Sequence, residues 1–205
     1  MVGVSRKCLY IAGLASLGCF ARIFTDELFN SIVKLEVYGP PFVKSFVSNA
    51  MGSFILGALT TSGLDEDTLP GIYTGLTTGF CGSYTTYSGW NLEMSHVAVE
   101  EVPFTGMSNV AVAIGSILVS VVFFTSSYIA GGDTMLAADR KVGETQVIRV
   151  RYPKLEVTTG ATILLFAILT LLVILDGPQS EQRRVYWLSG LMAPFGALTR
   201  FFLGR

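Results

Sequence analysis

The chain has 205 residues, of which 51% are hydrophobic and 14% charged, and its net charge is −1. Soluble domains carry about 25% charged residues, so this composition, with a mean hydropathy of +0.56, reads as an integral membrane protein. The charge balance gives no basic surface for nucleic acid. Cys8, Cys19 and Cys81 lack metal-ligand spacing and His96 has no Cys or His nearby, which leaves no metal cluster and no catalytic histidine set.

A membrane-spanning helix needs about 20 mostly apolar residues, and six segments qualify. The first, residues 8–29, follows Arg6 and Lys7 and carries Arg22 near its far end. Its basic start and apolar run have the form of a signal peptide, but a first transmembrane helix fits better, because a similar segment recurs late in the chain. The second span, residues 42–64, contains Asn49, Gly52, Ser53 and Gly57. Small residues of this kind suit close helix packing. The third, residues 72–99, holds the segment from Gly79 to Asn91, in which three glycines and four Ser or Thr residues fall within thirteen positions. Glycine weakens a helix interior by about 1 kcal/mol relative to alanine, and hydroxyl side chains compete for nearby backbone groups. Irregular backbone at membrane depth is tolerated only where protein buries it or where it lines a polar cavity. The segment therefore predicts a broken third helix.

The fourth span, residues 110–130, places Ser116 and Ser120 one turn apart on one face. Residues 131–156 are rich in both charges, from Asp133 to Glu156, and read as a solvated cytoplasmic loop. The fifth span, residues 157–175, runs nineteen positions without a charge, and the sixth, residues 185–203, holds Arg200. With the N-terminus inside, inner segments carry seven Lys or Arg residues against four outside, which favours a cytoplasmic N-terminus. Gly18-Cys19-Phe20-Ala21-Arg22-Ile23-Phe24 resembles Gly196-Ala197-Leu198-Thr199-Arg200-Phe201-Phe202. Four crossings lie between the two copies, so the second enters the membrane in the opposite direction. That is the layout of an inverted repeat.

Asn49 followed by Gly52-Ser53-Phe54 and Leu56-Gly57, then Gly79-Phe80-Cys81-Gly82 with Thr85-Thr86-Tyr87-Ser88 and Glu93, resembles the Fluc (CrcB) fluoride channels over residues 8–130. The added fifth helix and the restarted first helix resemble the fused eukaryotic fluoride exporters. The resemblance implies an all-α membrane protein that is not an enzyme: a four-helix unit over residues 1–130, the loop 131–156, a linker helix 157–175, and the first helix of a second, antiparallel unit in residues 185–205. It also implies a passive fluoride-selective channel, in the plasma membrane, that lowers cytoplasmic fluoride.

The resemblance further implies an anion pathway through Asn49, Thr86, Ser88, Ser116 and Ser120, with Arg22 in a vestibule. Two phenylalanines three residues apart face the ion in the family; here those positions hold Tyr87 and Trp90. These keep an aromatic edge of positive quadrupole character and add O–H and N–H donors. A structural Na⁺ at the unit interface is implied on the backbone carbonyls of Gly82 and Thr85. The missing remainder of the second unit predicts a piece of a longer protein that conducts poorly by itself. A non-conducting structural subunit is one rival reading. A small multidrug-type transporter is another, although it needs a membrane-embedded acid, and the first span has none before Asp26.

Overall fold

A computed structural model of the chain describes residues 4–33, 45–64, 69, 71–99, 109–142, 155–176 and 180–204. The described elements are helical throughout. Helix α1 runs over Val4–Val33 and α2 over Phe46–Thr61. The third span comprises α3 (Ile72–Thr74), a π-helix (Gly75–Cys81), α4 (Gly82–Tyr84) and α5 (Tyr87–Val99). Helices α6 (Asn109–Val142), α7 (Leu155–Leu175) and α8 (Glu181–Leu203) follow. Closing all backbone hydrogen bonds within a segment is what lets a chain this apolar lie in lipid. Two helices, Val4–Phe29 and Asn109–Ala138, are each long and apolar enough to cross a membrane, and Phe46–Thr61 and Thr159–Leu175 are shorter apolar helices.

Contacts fix the helix directions. Gly75 lies beside Tyr10 and Leu14, Gly79 beside Ile11 and Ala15, and Tyr84 bonds to Thr25 at 2.7 Å, so α1 and the third span run parallel. Along α2 the order reverses. Ser45 meets Glu93, Asn49 meets Thr86, and Met51 meets Tyr84, so these spans are antiparallel. Helices α2 and α6 are parallel, from Phe46 against Phe123 and Phe124 to Thr61 against Gly132. Helix α8 runs antiparallel to α1. Ile11 and Ala15 pack with Ala197, Ser16 bonds to Gly190, Phe20 meets Trp187, and Glu27 accepts a bond from Tyr186.

Glycine sets the closest approach in the α2–α6 pair. A Cβ on Gly57 would strike the Tyr128 carbonyl, and one on Gly131 would strike the Phe54 carbonyl. The backbones therefore touch, the small-residue packing that lipid favours. This packing also explains why α6 does not stop at residue 130. Gly131 and Gly132 are buried against α2, and Ala137, Ala138 and Arg140 are good helix formers. Residues 131–142 are thus helical, where the charged composition suggested loop; residues 143–154 of that segment lie outside the described residues.

Helix α8 contains Pro194. Proline has no N–H, so the carbonyl four residues back loses its helical donor. That carbonyl belongs to Gly190, and it accepts a buried bond of 2.8 Å from the Ser16 hydroxyl of α1. The proline defect in one helix is filled by the other.

Candidate functional site at the broken third helix

The break falls at Thr85, whose backbone is extended (φ −82°, ψ 147°). The chain before it is widened into a π-helix over Gly75–Cys81, a distortion the composition does not signal and one frequent at functional sites. Thr86 starts α5 as its N-cap. Its Oγ1 accepts a bond from the Gly89 N–H at 3.1 Å, the position three residues on that an N-cap hydroxyl satisfies. The Thr86 hydroxyl proton stays available for donation.

Asn49 holds the break from α2. Its Oδ1 accepts the Thr86 N–H at 2.6 Å, and its Nδ2 donates to the Thr86 carbonyl at 3.4 Å. The amide is buried, so this pairing with main chain consumes its acceptor and one of its two N–H groups. Thr85 turns back on the preceding helix, with both its N–H and its Oγ1 donating to the Cys81 carbonyl at 2.9 Å.

Three cavities touch the break, one of them, of about 550 Å³, lined by Thr77, Thr78, Gly82, Thr85 and Arg200 among others. The one between α2, α5 and α6 has a volume of about 320 Å³ and is lined by Asn49, Ser53, Thr86, Tyr87, Trp90 and Phe124 among others. Among the described residues no carboxylate, Lys, Arg or His lines it. The Trp90 ring sits 5.9 Å from the Tyr87 ring and meets Phe124 edge-on at 6.1 Å. Trp90 is 6% exposed and Tyr87 74% exposed, so only one of the aromatic pair is enclosed. Among the described residues the Trp90 Nε1–H and the Ser120 hydroxyl are buried with no hydrogen-bond partner. Ser120 lies one turn before Phe124, on the same face of α6.

The second cavity, about 480 Å³, lies between α1, the break and α8. Arg22 and Arg200, one from each copy of the sequence repeat, line it with Thr85, Ser88 and Ser189. Among the described residues no carboxylate lines it. Arg22 donates to the Cys19 sulfur at 3.7 Å, and Arg200 donates through Nη1 to the Gly82 carbonyl at 2.9 Å. Thr85, Thr86 and Tyr87 line both of these cavities, so the break is the wall between them.

A family model described as "CrcB-like protein, Camphor Resistance (CrcB)" matches residues 9–128, more than half of the chain. The chain belongs to the CrcB family. It is 31% identical over 117 residues to a protein of Syntrophotalea carbinolica named "Fluoride-specific ion channel FluC", covering 56% of this chain and 89% of that one. It is 32% identical over 91 residues to "Fluoride-specific ion channel FluC 2" of Cutibacterium acnes, covering 44% of this chain and 71% of that one. No solved structure matches.

The matched CrcB region holds every candidate residue named from the sequence. Asn49, Thr86, Tyr87 and Trp90 gather at one cavity. Ser88 is on the other side with Arg22. Ser116 is half-buried, and neither it nor Ser120 lines a described cavity wall. Gly82 and Thr85 sit at the break as expected. The Gly82 carbonyl, however, already bears the Arg200 guanidinium, so it does not suit a metal ion while that contact is made. The Arg200 contact lies outside the CrcB match, and only the Gly-x-x-x-Arg repeat pointed to that residue.

Proposed function

We propose that this CrcB protein is a passive fluoride channel that lowers cytoplasmic fluoride. The observation that carries the proposal is two buried, unpartnered donors, Trp90 Nε1–H and Ser120 Oγ–H, of which Trp90 lines a cavity with no ionised acid or base among its described residues. A buried donor without an acceptor costs about 1–3 kcal/mol. An acceptor that visits them removes that cost. Fluoride accepts hydrogen bonds and cannot donate, and its tight hydration shell must be replaced by donors. The spare N–H of Asn49 and the hydroxyl of Thr86 add two more. The names of both relatives support the choice of fluoride.

Arg22 and Arg200 give the groove on the other side of the break a positive wall, which raises the local concentration of anions. The proposal includes a plasma-membrane location with the N-terminus inside, supported by the distribution of basic residues. It includes an antiparallel second unit, supported by the sequence repeat and by the antiparallel seating of α8 on α1. Tyr87, exposed beside the two cavities it lines, would then face that unit. A sodium ion at the unit interface, on the Gly82 and Thr85 carbonyls, would require Arg200 to leave Gly82.

The test is fluoride efflux from proteoliposomes, read with a fluoride electrode, for the chain alone and for the chain joined to a second unit. Fluoride is expected to leave the joined form while chloride is retained, and the unit alone is expected to be slow. Absence of fluoride efflux from the joined form would sink the proposal and favour a non-conducting subunit. Replacing Na⁺ by N-methyl-D-glucamine on both sides tests the ion at the interface: unchanged rates in the presence of Arg200 are expected.

A further inference from the structure

In an unbroken helix the Thr86 N–H would reach the Gly82 carbonyl four residues back. Here that hydrogen bond is opened, the first of several lost at the break, since the Gly89 N–H also turns to Thr86 Oγ1, and each end of the Thr86–Gly82 bond is taken by a side chain from a different helix. The Thr86 N–H goes to Asn49 Oδ1 of α2 at 2.6 Å. The Gly82 carbonyl accepts from Arg200 Nη1 of α8 at 2.9 Å. The two side chains approach from opposite sides, since Asn49 lines the cavity toward α6 and Arg200 lines the groove toward α1. Gly82 has no Cβ, and one placed there would collide with the Arg200 guanidinium.

We infer that Arg200 is a positioning residue that holds the third span broken, as the partner of Asn49 in a two-sided clamp on the Thr86–Gly82 hydrogen bond. A helix end leaves its last carbonyls without donors, and a cation is favoured there. Arg200 supplies both the donor and the charge. Removing either side chain alone strands one end of the opened bond. Removing both lets the two ends meet, and the helix closes through residue 86.

This makes a prediction that a simple surface contact does not. Arg200→Met and Asn49→Leu each lower the thermal midpoint of the detergent-solubilised chain by about 5 °C. The double variant Asn49→Leu/Arg200→Met regains most of that loss, and its helical circular dichroism rises above that of either single variant. Additive losses in the double variant would overturn the inference, as would an Arg200→Met midpoint equal to that of the parent. Should Asn49→Leu fail to fold alone, recovery of folded protein in the double variant supports the clamp, and its failure to recover refutes it. The readout is unfolding and not ion flux, so failure of the clamp is distinct from failure of the fluoride reading.

Discussion

Ser120 and Trp90 are the residues at which function and stability separate. A hydroxyl buried for packing would weaken the fold when removed, whereas the Ser120 hydroxyl has no partner to lose. We expect Ser120→Ala to leave the thermal midpoint unchanged or slightly raised while slowing fluoride efflux about tenfold, the loss of one hydrogen bond to a charged group. A fall in both together would assign the hydroxyl to the fold instead. At this scale much of the candidate site was visible in the sequence. Asn49, Thr86 and Trp90 stand out because polar and aromatic residues between apolar runs need a reason to be there. Their partners were not visible. Asn49 bonds to main chain at Thr86, and that bond exists only because the backbone is extended one residue earlier.

Among the elements, α8 shows how a defect in one helix is answered by another. Pro194 frees the Gly190 carbonyl, and Ser16 fills it from α1. Ser16→Ala therefore strands a buried carbonyl, at a cost of about 1–2 kcal/mol, and lowers the thermal midpoint by about 3–6 °C. Replacing Pro194 by Ala in that background restores a donor to Gly190 and should recover most of the loss; no recovery would dissociate the serine from the proline.

The end of α7 is tied to the first turns of α8 by Asp176, which accepts bonds from Trp187 Nε1 at 2.7 Å and from Arg183 Nη1 at 2.9 Å. The Trp187 bond, and then Arg183, hold this carboxyl below its ordinary value. A carboxylate more acidic in the folded chain than in the unfolded chain stabilises this tie above the ordinary aspartate range of about 4 and loses that effect as the pH falls further. Hydrogen exchange at the start of α8 should rise on acidification below about pH 4, and Asp176→Asn should flatten that rise. Proline, aspartate and tryptophan are all plain in the sequence, but which group answers each of them depends on which helices touch.

At the scale of the whole molecule, the order of contacts sets the design. The first and third spans run one way, α2, α6 and α8 the other, and the two arginines of the sequence repeat face one groove. Alternating direction follows from apolar runs joined in succession, because each crossing reverses the chain, so an all-α membrane fold and the opposed direction of the repeat could be read from the sequence alone. Two boundaries could not. The charged stretch after residue 130 looked like loop, yet it is helical to Val142, because packing of Gly131 and Gly132 on α2 carries the helix past the point where composition turns polar. The π-helix before the break was equally hidden.

Residue chemistry by itself determined the class of the protein, the family resemblance and the region where the third helix must fail. Burying apolar surface and breaking a helix at glycine and hydroxyl residues are local matters, and local pattern reports them. Only the tertiary structure decided that the failure falls at Thr85, that Asn49 and Arg200 take the two ends of the opened Thr86–Gly82 hydrogen bond, and that Trp90 and Ser120 are left as donors without acceptors. Each of these depends on which side chain reaches across from a helix distant in sequence, 37 residues away for Asn49 and 118 for Arg200, and periodicity within one segment carries no record of that distance.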